Sequence, residues 1–591
     1  MGLLQKACET YDAMAHLAGV EIEDRETLAP ISHIMVRAQI EITLDQGGNF
    51  VTARVVDKNE PKIAIPVTEE SAGRTSAPCP HPLCDQLGYL APNTPTKEGL
   101  YLKGLAEWVG SGHTHPKLQA VLHYVRSGTI LPDLARAEVI QLGADGKPND
   151  EKLLVRWVVI GLGDKLSGPC WTDRALIQCF IQYYTEQQSR RTSCLCMISG
   201  AEEFPARQHP KGIIAINGNA KLISANDSSG FTYRGRFDSP EQAATIGYLS
   251  SQKAHNALRW LAVNQGVTFG GRTFLCWNPQ GHPMPPVHGS MGRRGGSSQK
   301  RSATPTEYRQ QLRDTLSGWN DGLPVRAGVV IAVFDAATTG RLAVTYYNEL
   351  LASDFLQRLC DWEETCCWEN GPLGVQSPTL FQLVSWAFGV PRNGKVETDD
   401  RILAQQMQRL AVCRVDRAAF PLDIERALVE KASNLLIYEG DNRTKLLFTT
   451  CAAIRKYHYD HWKEEWGMAL DQNNCDRSYL FGRLLAIAEA VENSTYTDED
   501  RRETNAVRMQ KAFSLRPMTT WRILEEKLTP YYKQLDPGLR QYYRKLIQEI
   551  VDKLSASNID LNQKLDDIYL LGYYHQRAYR REKSDKREAE K

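Results

Sequence analysis

Alternating apolar and polar residues dominate the first part of the chain. Every second residue from Ile34 to Ile42 is apolar, and after the turn DQGGN the segment FVTARVV returns in a similar pattern. A period of two is typical of half-buried strands, so the pattern predicts a hairpin behind a short N-terminal helix. Residues 66–98 carry closely spaced prolines in SAGRTSAPCPHPLCDQ, which predicts a loop-rich stretch without regular structure at its centre.

A second β-rich block follows and ends near residue 348. A hairpin closes it, formed by GVVIAVFDAA, a TTG turn and RLAVTYY, and a helix is predicted over residues 240–263. The basic, Gly/Ser-rich segment GSMGRRGGSSQKRSATP lies between that helix and the hairpin. The other expected strands are LLVRWVVI (153–160), SCLCMI (193–198), GIIAI (212–216) and GFTYRGRF (230–237).

From residue 349 onward, apolar residues recur at helical spacing almost without interruption. After residue 468 the pattern predicts four or five antiparallel helices joined by short loops. The expected fold class is therefore multidomain α+β, with a mixed α/β N-terminal region followed by an all-helical C-terminal bundle. The predicted divisions are the α/β region at 1–348, a helical connecting region at 349–467 and the bundle at 468–591.

Composition narrows the function only slightly. The 71 basic and 70 acidic side chains give a net charge of +1, whereas a free-standing DNA-binding protein usually carries a clear basic excess. A neutral total suits a subunit that touches nucleic acid over one limited face. The N-terminus lacks the features of a signal peptide, and no segment approaches the roughly 20 apolar residues of a membrane span, so we expect a cytoplasmic protein without membrane contact.

Signals for catalysis are weak. The chain has no GxxxxGK[ST], GxGxxG or GxSxG motif. Cys79, His81 and Cys84 offer soft zinc ligands but lack a fourth, and His113 and His115 form an HxH pair without the further ligands of a hydrolase. We therefore expect no catalytic residue, no metal and no cofactor, and a metal-dependent hydrolase using His113 and His115 is the alternative.

The helix predicted over 240–263 is the strongest candidate for recognition. Its apolar residues Ile246, Leu249, Ala254, Ala257, Leu258 and Leu261 share one face. Glutamine and asparagine can bond a base edge in two places, and lysine and arginine hold phosphate. The opposite face therefore suits a nucleic-acid contact, with an ordinary solvated surface as the alternative. Its polar residues are Gln252, His255, Asn256 and Arg259, with Lys253 beside them.

Two other kinds of segment are candidates for DNA contact. Arg74, Thr75 and Ser76 offer one cation and two hydroxyl groups before a stiff turn, which can enter a groove at low entropic cost. The Gly/Ser-rich segment is a cationic arm suited to phosphate contact, and a loop with nothing bound is an equal alternative. The candidate phosphate-contacting residues are Arg234, Arg236, Arg293, Arg294, Lys300 and Arg301.

Five segments, in the same order along the chain, resemble the large subunit of the type I-C CRISPR surveillance complex (Cascade). The helix segment SQKAHNALRWL is the most specific of them. The five are RTSAPCPHPLCD (74–85), GFTYRGRF (230–237), IGYLSSQKAHNALRWL (246–261), VVIAVFDAATTGRLAVTYYNEL (329–350) with the following DWEETCCW, and SYLFGRLLAIAEAVE (478–492).

The resemblance implies a non-catalytic subunit of a guide-RNA-directed complex for antiviral defence. Such a subunit reads a short duplex motif beside the target, the PAM, while pairing with the guide RNA reads the rest. It would promote duplex opening and R-loop formation and recruit a separate helicase–nuclease. Its partners would be guide RNA, double-stranded target DNA, and the backbone and handle-bound subunits. The family's contact region would map onto residues 74–76 and the helix around Gln252.

The resemblance also implies a small subunit translated from inside the same gene. Met468 directly precedes the helical bundle, and Lys463-Glu464-Glu465 upstream must be encoded AAR-GAR-GAR, which can read as the ribosome-binding sequence AAGGAGG. Residues 468–591 are therefore expected as a free polypeptide as well. Cations of the bundle can line a groove for the displaced single strand, with solvated helix faces as the alternative. The candidates are Arg501, Arg502, Arg508, Lys511 and Arg516.

Overall fold

The computed structural model divides into two compact units. The first comprises residues 1–283 with 328–349, and the second comprises residues 284–327 with 350–591. Strands and helices mix in the first unit, whereas helices dominate the second, which confirms the α+β fold class. The residues that the structure describes are 2–74, 77–91, 95–161, 163, 167–224, 245–292, 301–336, 338–497, 502–556 and 560–589.

Two four-stranded sheets form the framework of the first unit. The strands are β1 (His33–Val36), β2 (Ile40–Leu44), β3 (Phe50–Val55), β4 (Ile63–Pro66), β5 (Val155–Val159), β6 (Gly168–Pro169), β7 (Cys194–Leu195), β8 (Glu202–Glu203), β9 (Val267–Phe269), β10 (Arg272–Trp277), β11 (Gly328–Asp335) and β12 (Ala343–Leu351). One sheet has the order β3-β2-β5-β6, with β2 and β5 parallel, and the other has the order β12-β11-β10-β9. The pairs β1–β4 and β7–β8 stand outside these sheets.

The first alternating segment forms two strands in different sheets rather than one. The hairpin of β2 and β3 is confirmed, but β1 pairs with β4 instead of continuing into β2. Gln39 marks the break, because its side-chain oxygen accepts a hydrogen bond from Leu154 N at 2.8 Å and so ties the chain to the start of β5. The alternation within β2 places Ile40, Ile42 and Leu44 in the core, as a period of two requires.

Helices cover both sheets of the first unit and complete its core. They are α1 (Leu3–Ala13), α2 (Glu69–Gly73), α3 (Leu87–Leu90), α4 (Pro95–Val109), α5 (Pro116–Ser127), α6 (Ile130–Arg136), α7 (Arg174–Gln188) and α8 (Tyr248–Asn264). Helices α2 and α3 lie within the stretch predicted as loop-rich. The carbonyl of Leu83 accepts hydrogen bonds from the Trp157 indole at 2.9 Å and the Tyr101 hydroxyl at 2.7 Å, which anchors the proline-rich segment to the core.

Several predicted elements of the first unit need correction. The strand expected at 212–216 is wrong, since these residues form bends and turns that bury Ile213 and Ile214. Of the strand expected at 193–198, only β7 forms. The strands 153–160 and the closing hairpin are confirmed as β5 and as β11 with β12. The strand predicted at 230–237 and the first part of the predicted helix, 240–244, lie outside the described residues.

The second unit is mainly helical, with two short strand pairs. The described helices of residues 468–589 match the four or five expected. The helices are α9 (Pro305–Asn320), α10 (Ala352–Thr365), α11 (Leu380–Phe388), α12 (Asp400–Asp416), α13 (Leu422–Ala432), α14 (Asp441–Trp462), α15 (Arg477–Asn493), α16 (Asn505–Leu515), α17 (Pro517–Gln534), α18 (Pro537–Ser555) and α19 (Tyr569–Ala589), and the strands are β13 (Trp368–Glu369), β14 (Val375–Gln376), β15 (Val390–Arg392) and β16 (Lys395–Glu397).

A buried ion pair explains why residues 284–327 belong to the helical unit. Arg414 on α12 pairs with Glu363 on α10 at 2.8 Å and also donates to the carbonyl of Val287 at 2.9 Å and that of Gly289 at 2.5 Å. Glu363 accepts from Met291 N at 2.5 Å. Buried charges need partners, and here the inserted segment supplies part of them. The basic segment predicted as an arm therefore begins from a firmly held end.

The C-terminal bundle is also joined to the helices that precede it. Gln510 donates to the carbonyl of Ala432 at 2.9 Å, and the Tyr569 hydroxyl contacts Ser433 Oγ at 2.5 Å. These contacts lie within the one compact unit that also contains residues 284–327. The predicted division at residue 468 stays a prediction. None of the described helices combines the length and apolar character needed to cross a membrane.

Candidate nucleic-acid interface

The candidate recognition helix α8 begins at Tyr248, after an extended Gly247. A side chain at Gly247 is sterically excluded, because a Cβ there would lie 2.0 Å from Glu203 Oε2. Glu203 in turn accepts hydrogen bonds from Ser250 N at 3.0 Å and Ser250 Oγ at 2.5 Å. A carboxylate at a helix N-terminus is stabilised by the free N–H groups there, so Glu203 fixes both the start and the position of α8.

The polar face of α8 is buried, which corrects the picture of an exposed contact face. Gln252 is only 7% exposed and Asn256 is 2% exposed, whereas Leu249 from the predicted apolar face is 44% exposed. The Asn256 amide donates to the carbonyls of Ala29 at 3.2 Å and Pro30 at 3.1 Å. Neighbouring backbone thus draws the polar face inward, since buried carbonyls require hydrogen-bond donors.

His255 lies deepest on this face. Its Nδ1 contacts the carbonyl of Ser251 at 2.7 Å, and His209 from the facing segment contacts Ser251 Oγ at 2.8 Å. Burial lowers the pKa of His255 to about 3 and that of His209 to about 4, so both imidazoles are neutral near pH 7. The two rings stack with their centroids 5.9 Å apart and bring no charge to this face.

The two cations of α8 have different partners. Lys253 forms an ion pair with Asp12 on α1 at 2.7 Å, which accounts for its position beside the polar face. Arg259 donates to the carbonyl of Gly212 at 3.0 Å and to that of Lys211. Burial lowers the pKa of Arg259 below its ordinary value, although the guanidinium stays charged at any physiological pH. Arg259 therefore brings a buried positive charge held by neutral carbonyls.

Gln252, Asn256 and Arg259 line one cavity of about 300 Å³ within the first unit. Facing them are Lys211 and Lys221, and burial together with Lys211 lowers the pKa of Lys221. The cavity thus combines amide groups, which can donate and accept, with several cations. Its other lining residues include Glu26, Ile34, Lys62, Glu69, Gly73, His209, Gly212 and Ile213.

The acidic residues of this cavity are already neutralised. Glu26 pairs with Lys62 at 2.7 Å. Glu69 pairs with Arg191 at 2.7 Å and accepts from Arg207 N at 2.8 Å. Among the described residues of this cavity, the positive charges of Lys211, Lys221 and Arg259 are therefore in excess. Burial and the neighbouring Lys211 both lower the pKa of Lys221, and a bound anion would offset this repulsion. The arrangement can bind a phosphate while the Gln252 amide contacts a neighbouring polar group.

The candidate loop at 74–76 begins at the same cavity. Gly73 lines it, and Arg74 follows directly. Arg74 itself is turned toward Asp85, with two hydrogen bonds of 2.8 and 2.7 Å, and its guanidinium lies 4.5 Å from the centre of the Tyr89 ring. The structure thus gives Arg74 a role in holding the loop. Thr75 and Ser76 lie outside the described residues.

The other candidate cations that the structure describes are exposed. Arg301 is exposed, just before α9. Arg502, Arg508, Lys511 and Arg516 are exposed in and around α16, with Lys511 paired with Glu430 at 3.2 Å and the Arg502 guanidinium 5.5 Å from the Tyr496 ring centre. Their assignment to single-stranded DNA stays a prediction. The candidates outside the described residues are Arg234, Arg236, Arg293, Arg294, Lys300 and Arg501.

The metal-dependent hydrolase alternative is not supported by the histidine geometry. His113 Nε2 lies 3.2 Å from Glu186, and His115 caps α5 by accepting from Lys117 N at 3.3 Å. Burial lowers the pKa of His81 to about 4, and its Nδ1 contacts Ser71 Oγ at 3.0 Å. Within the described ranges, no three His, Cys, Asp or Glu side chains are grouped so that they could hold a metal ion.

The sequence pattern does not predict the facing wall of the cavity. Lys211, Lys221 and His209 belong to HPKGIIAINGNAK, which was interpreted as containing a strand. The turn signal NGN between two lysines is the feature that marks this segment as a folded-back loop with cations at both ends. Indeed, Lys211 and Lys221 are joined by an isolated antiparallel bridge.

Fold and site together define a multidomain α+β protein with a cationic cavity suited to an anionic ligand. The chain belongs to the family described as CRISPR-associated protein (Cas_Csd1), whose model matches residues 8–581. No curated protein is similar enough to the chain to count as a match. The expectation of a CRISPR-associated subunit is confirmed at this level, whereas the type I-C assignment stays a prediction.

Proposed function

We propose that this chain is the non-catalytic large subunit of a type I-C CRISPR surveillance complex and that it recognises the PAM on double-stranded target DNA. In this role it promotes duplex opening and R-loop formation and recruits the helicase–nuclease that cuts. The observation that carries the proposal is the cavity where Gln252 and Asn256 meet Lys211, Lys221 and Arg259, cations that have no carboxylate partner among the described residues. Membership of a CRISPR-associated family supports it.

In this proposal, the cations of the cavity position the DNA and an amide provides the sequence specificity. The lysines hold backbone phosphate, which is the same in every sequence. The Gln252 amide can bond a base edge in two places, the pairing that distinguishes one base pair from another in the major groove. Asn256 is committed to the carbonyls of Ala29 and Pro30, so it shapes the cavity, and Gln252 is the group available for reading.

Duplex binding by the reconstituted complex tests this division. We expect Gln252→Ala to weaken binding by roughly 5- to 150-fold on targets with the correct flank and to leave other duplexes unaffected. Lys221→Ala should weaken binding on every duplex and lower the slope of log K against log salt by about 0.9. The matched control is Gln265→Ala, an exposed glutamine just beyond the same helix. Equal losses on all duplexes for Gln252→Ala would refute base reading.

The same proposal includes a small subunit made from within the gene. Met468 lies in the helix-free stretch between α14 and α15, so a chain starting there retains α15 to α19 complete. We expect expression of the intact gene to yield the full chain and a 124-residue product, residues 468–591. Changing Met468 to a non-start codon should remove the short product, as seen on an immunoblot against a C-terminal tag.

Synonymous recoding provides the control for this test. Changing the codons of Lys463, Glu464 and Glu465 to AAA-GAA-GAA leaves the protein sequence unchanged but weakens the ribosome-binding sequence. The short product should fall while the full chain is unaffected. Persistence of the short product after the Met468 change would assign it to proteolysis and end the idea.

A further inference from the structure

A second cavity, lined by many charged side chains, lies in the helical unit, distinct from the one around Gln252. Its volume is about 380 Å³, and it is formed by side chains from α9, α10, α12 and α14 and from the segment after α14. Seven of its lining residues are cationic and five are acidic. The cations are Arg309, Arg358, Arg414, Arg417, Arg455, Lys456 and Lys463, and the acids are Asp361, Glu364, Asp460, Glu464 and Glu465. Three of the arginines already have carboxylate partners: Arg309 pairs with Glu364, Arg358 with Asp354 and Arg414 with Glu363.

The floor of this cavity is rigid. Arg455 donates to the carbonyls of Glu364 at 2.7 Å, Thr365 at 3.0 Å and Trp466 at 3.0 Å, so its charge is held by neutral groups. Lys456 pairs with Asp460 at 2.8 Å and lies 5.0 Å from the centre of the buried Trp362 ring. The deep part of the cavity therefore keeps at least one positive charge without a carboxylate bonded to it.

At the rim of the cavity, a phosphate can replace the carboxylate partner of an arginine. Arg417 pairs with Asp361 at 2.7 Å, but the two side chains are 52% and 44% exposed. Exposed ion pairs contribute little and are screened by salt, so a phosphate can replace the carboxylate at small cost. A guanidinium binds phosphate through two parallel hydrogen bonds, which adds geometry to charge. Lys463, also exposed, lies 5.0 Å from the centre of the Tyr459 ring.

Aromatic side chains accompany these cations on α14. Tyr459 lines the cavity, and one turn further Trp462 is 55% exposed, held by edge contacts with Tyr457 at 5.3 Å and His458 at 4.8 Å. Accessible aromatic side chains interleaved with cations, here the exposed Trp462 and the partly buried Tyr459, are the pattern of surfaces that bind single-stranded nucleic acid. Cations bind the phosphates of successive nucleotides while the aromatic rings stack on their bases.

We propose that this cavity, with Trp462 beside it, is a binding site for a strand of single-stranded nucleic acid. The phosphates lie among Arg417, Arg455 and Lys463, and an adjacent base stacks on Trp462. The site goes beyond duplex recognition, because it lies in the other unit and its lining ends at Glu465, before Met468. A polypeptide of residues 468–591 would lack it, so it belongs to the full chain.

Binding of fluorescent 20-nucleotide RNA and DNA strands of one unstructured sequence to the purified full chain tests the site. Arg417→Ala with Lys463→Ala should weaken binding at least fivefold at low salt and lower the salt slope by about 0.7 for each lost cation. Trp462→Ala should weaken it at least fivefold. Preference for RNA would identify a guide strand, and preference for DNA a displaced target strand; either supports the site.

Two controls keep the result interpretable. Arg401→Ala removes an exposed arginine at the start of α12, outside the cavity, and should change binding less than twofold. Arg417 and Lys463 directly follow the C-termini of α12 and α14, where cations also favour the helix dipole. If that is their whole role, their replacement lowers Tm but leaves strand binding intact, and this outcome overturns the proposal. The three substitutions tested at this site lie in the helical unit and leave Gln252, Lys211 and Lys221 unchanged, so a loss of strand binding reports on this cavity and not on the Gln252 cavity.

Discussion

Replacing Gly482 with alanine is expected to destabilise the helical unit by about 3 kcal/mol or more, the upper end of overpacking effects. A Cβ at Gly482 would lie 1.9 Å from the carbonyl oxygen of Tyr569, and one at Gly572 would lie 2.2 Å from the carbonyl oxygen of Tyr479. Both obstacles are backbone atoms and cannot rotate away. Helices α15 and α19 must therefore separate to admit even one methyl group.

The Gly482→Ala substitution should also affect hydrogen bonds next to the crossing of α15 and α19. Separation of the two helices would also disturb the Arg483–Gln576 hydrogen bond of 3.0 Å and the Tyr573–Glu489 hydrogen bond of 2.6 Å, which are buried beside it. Unfolding by denaturant measures the loss, and hydrogen exchange should show it concentrated in α15 and α19.

The matched control is an open glycine in the same unit. Gly318 lies within α9, and nothing stands within 4 Å of a Cβ placed there. Alanine is a better helix former than glycine by about 1 kcal/mol, so Gly318→Ala should leave the unit equally or slightly more stable. A Gly482→Ala chain as stable as the unsubstituted one would show that α15 and α19 do not cross this closely.

The spacing of apolar residues along the sequence predicts those helices and strands whose buried face is set within the element itself. The hairpin of β11 and β12 was predicted because its strands are apolar and joined by a turn. The helices after residue 468 were predicted because their apolar residues recur every three or four positions. Where burial follows from the sequence of one element alone, the sequence is sufficient.

Long-range partners explain what the sequence did not predict. The polar face of α8 faces inward because the carbonyls of Ala29 and Pro30 require donors, and no pattern within α8 reveals these partners. Likewise, Glu363 holds Met291 across 72 positions of the chain and Arg414 holds Val287 across 127, which draws residues 284–327 into the helical unit. The candidate site was predicted in part: Gln252 was named, whereas the facing Lys211 and Lys221 come from a segment interpreted as a strand.

The largest expected effect in the first unit comes from Asp85→Ala. Asp85 is fully buried and accepts four hydrogen bonds, two from Arg74, one from His81 N at 2.7 Å and one from Gln86 N at 2.7 Å. Its loss leaves a half-buried guanidinium without its carboxylate and two backbone donors without an acceptor. Breaking a buried ion pair in this way costs about 3–5 kcal/mol.

The effect should be local in structure but visible in function. Asp85 binds both Arg74 and the His81 backbone, so it holds the two ends of the intervening loop. Its removal should release this loop, which begins at the Gln252 cavity, and limited proteolysis should cut the chain there first. Lys147→Ala, which removes an exposed pair with Asp145 at 3.9 Å, should cost at most about 0.5 kcal/mol in the same denaturant titration. If Asp85→Ala costs no more than Lys147→Ala, the Arg74–Asp85 pair does not hold the loop. If its stability falls while correctly flanked duplexes are bound as before, the loop is held for folding and contributes nothing to target recognition.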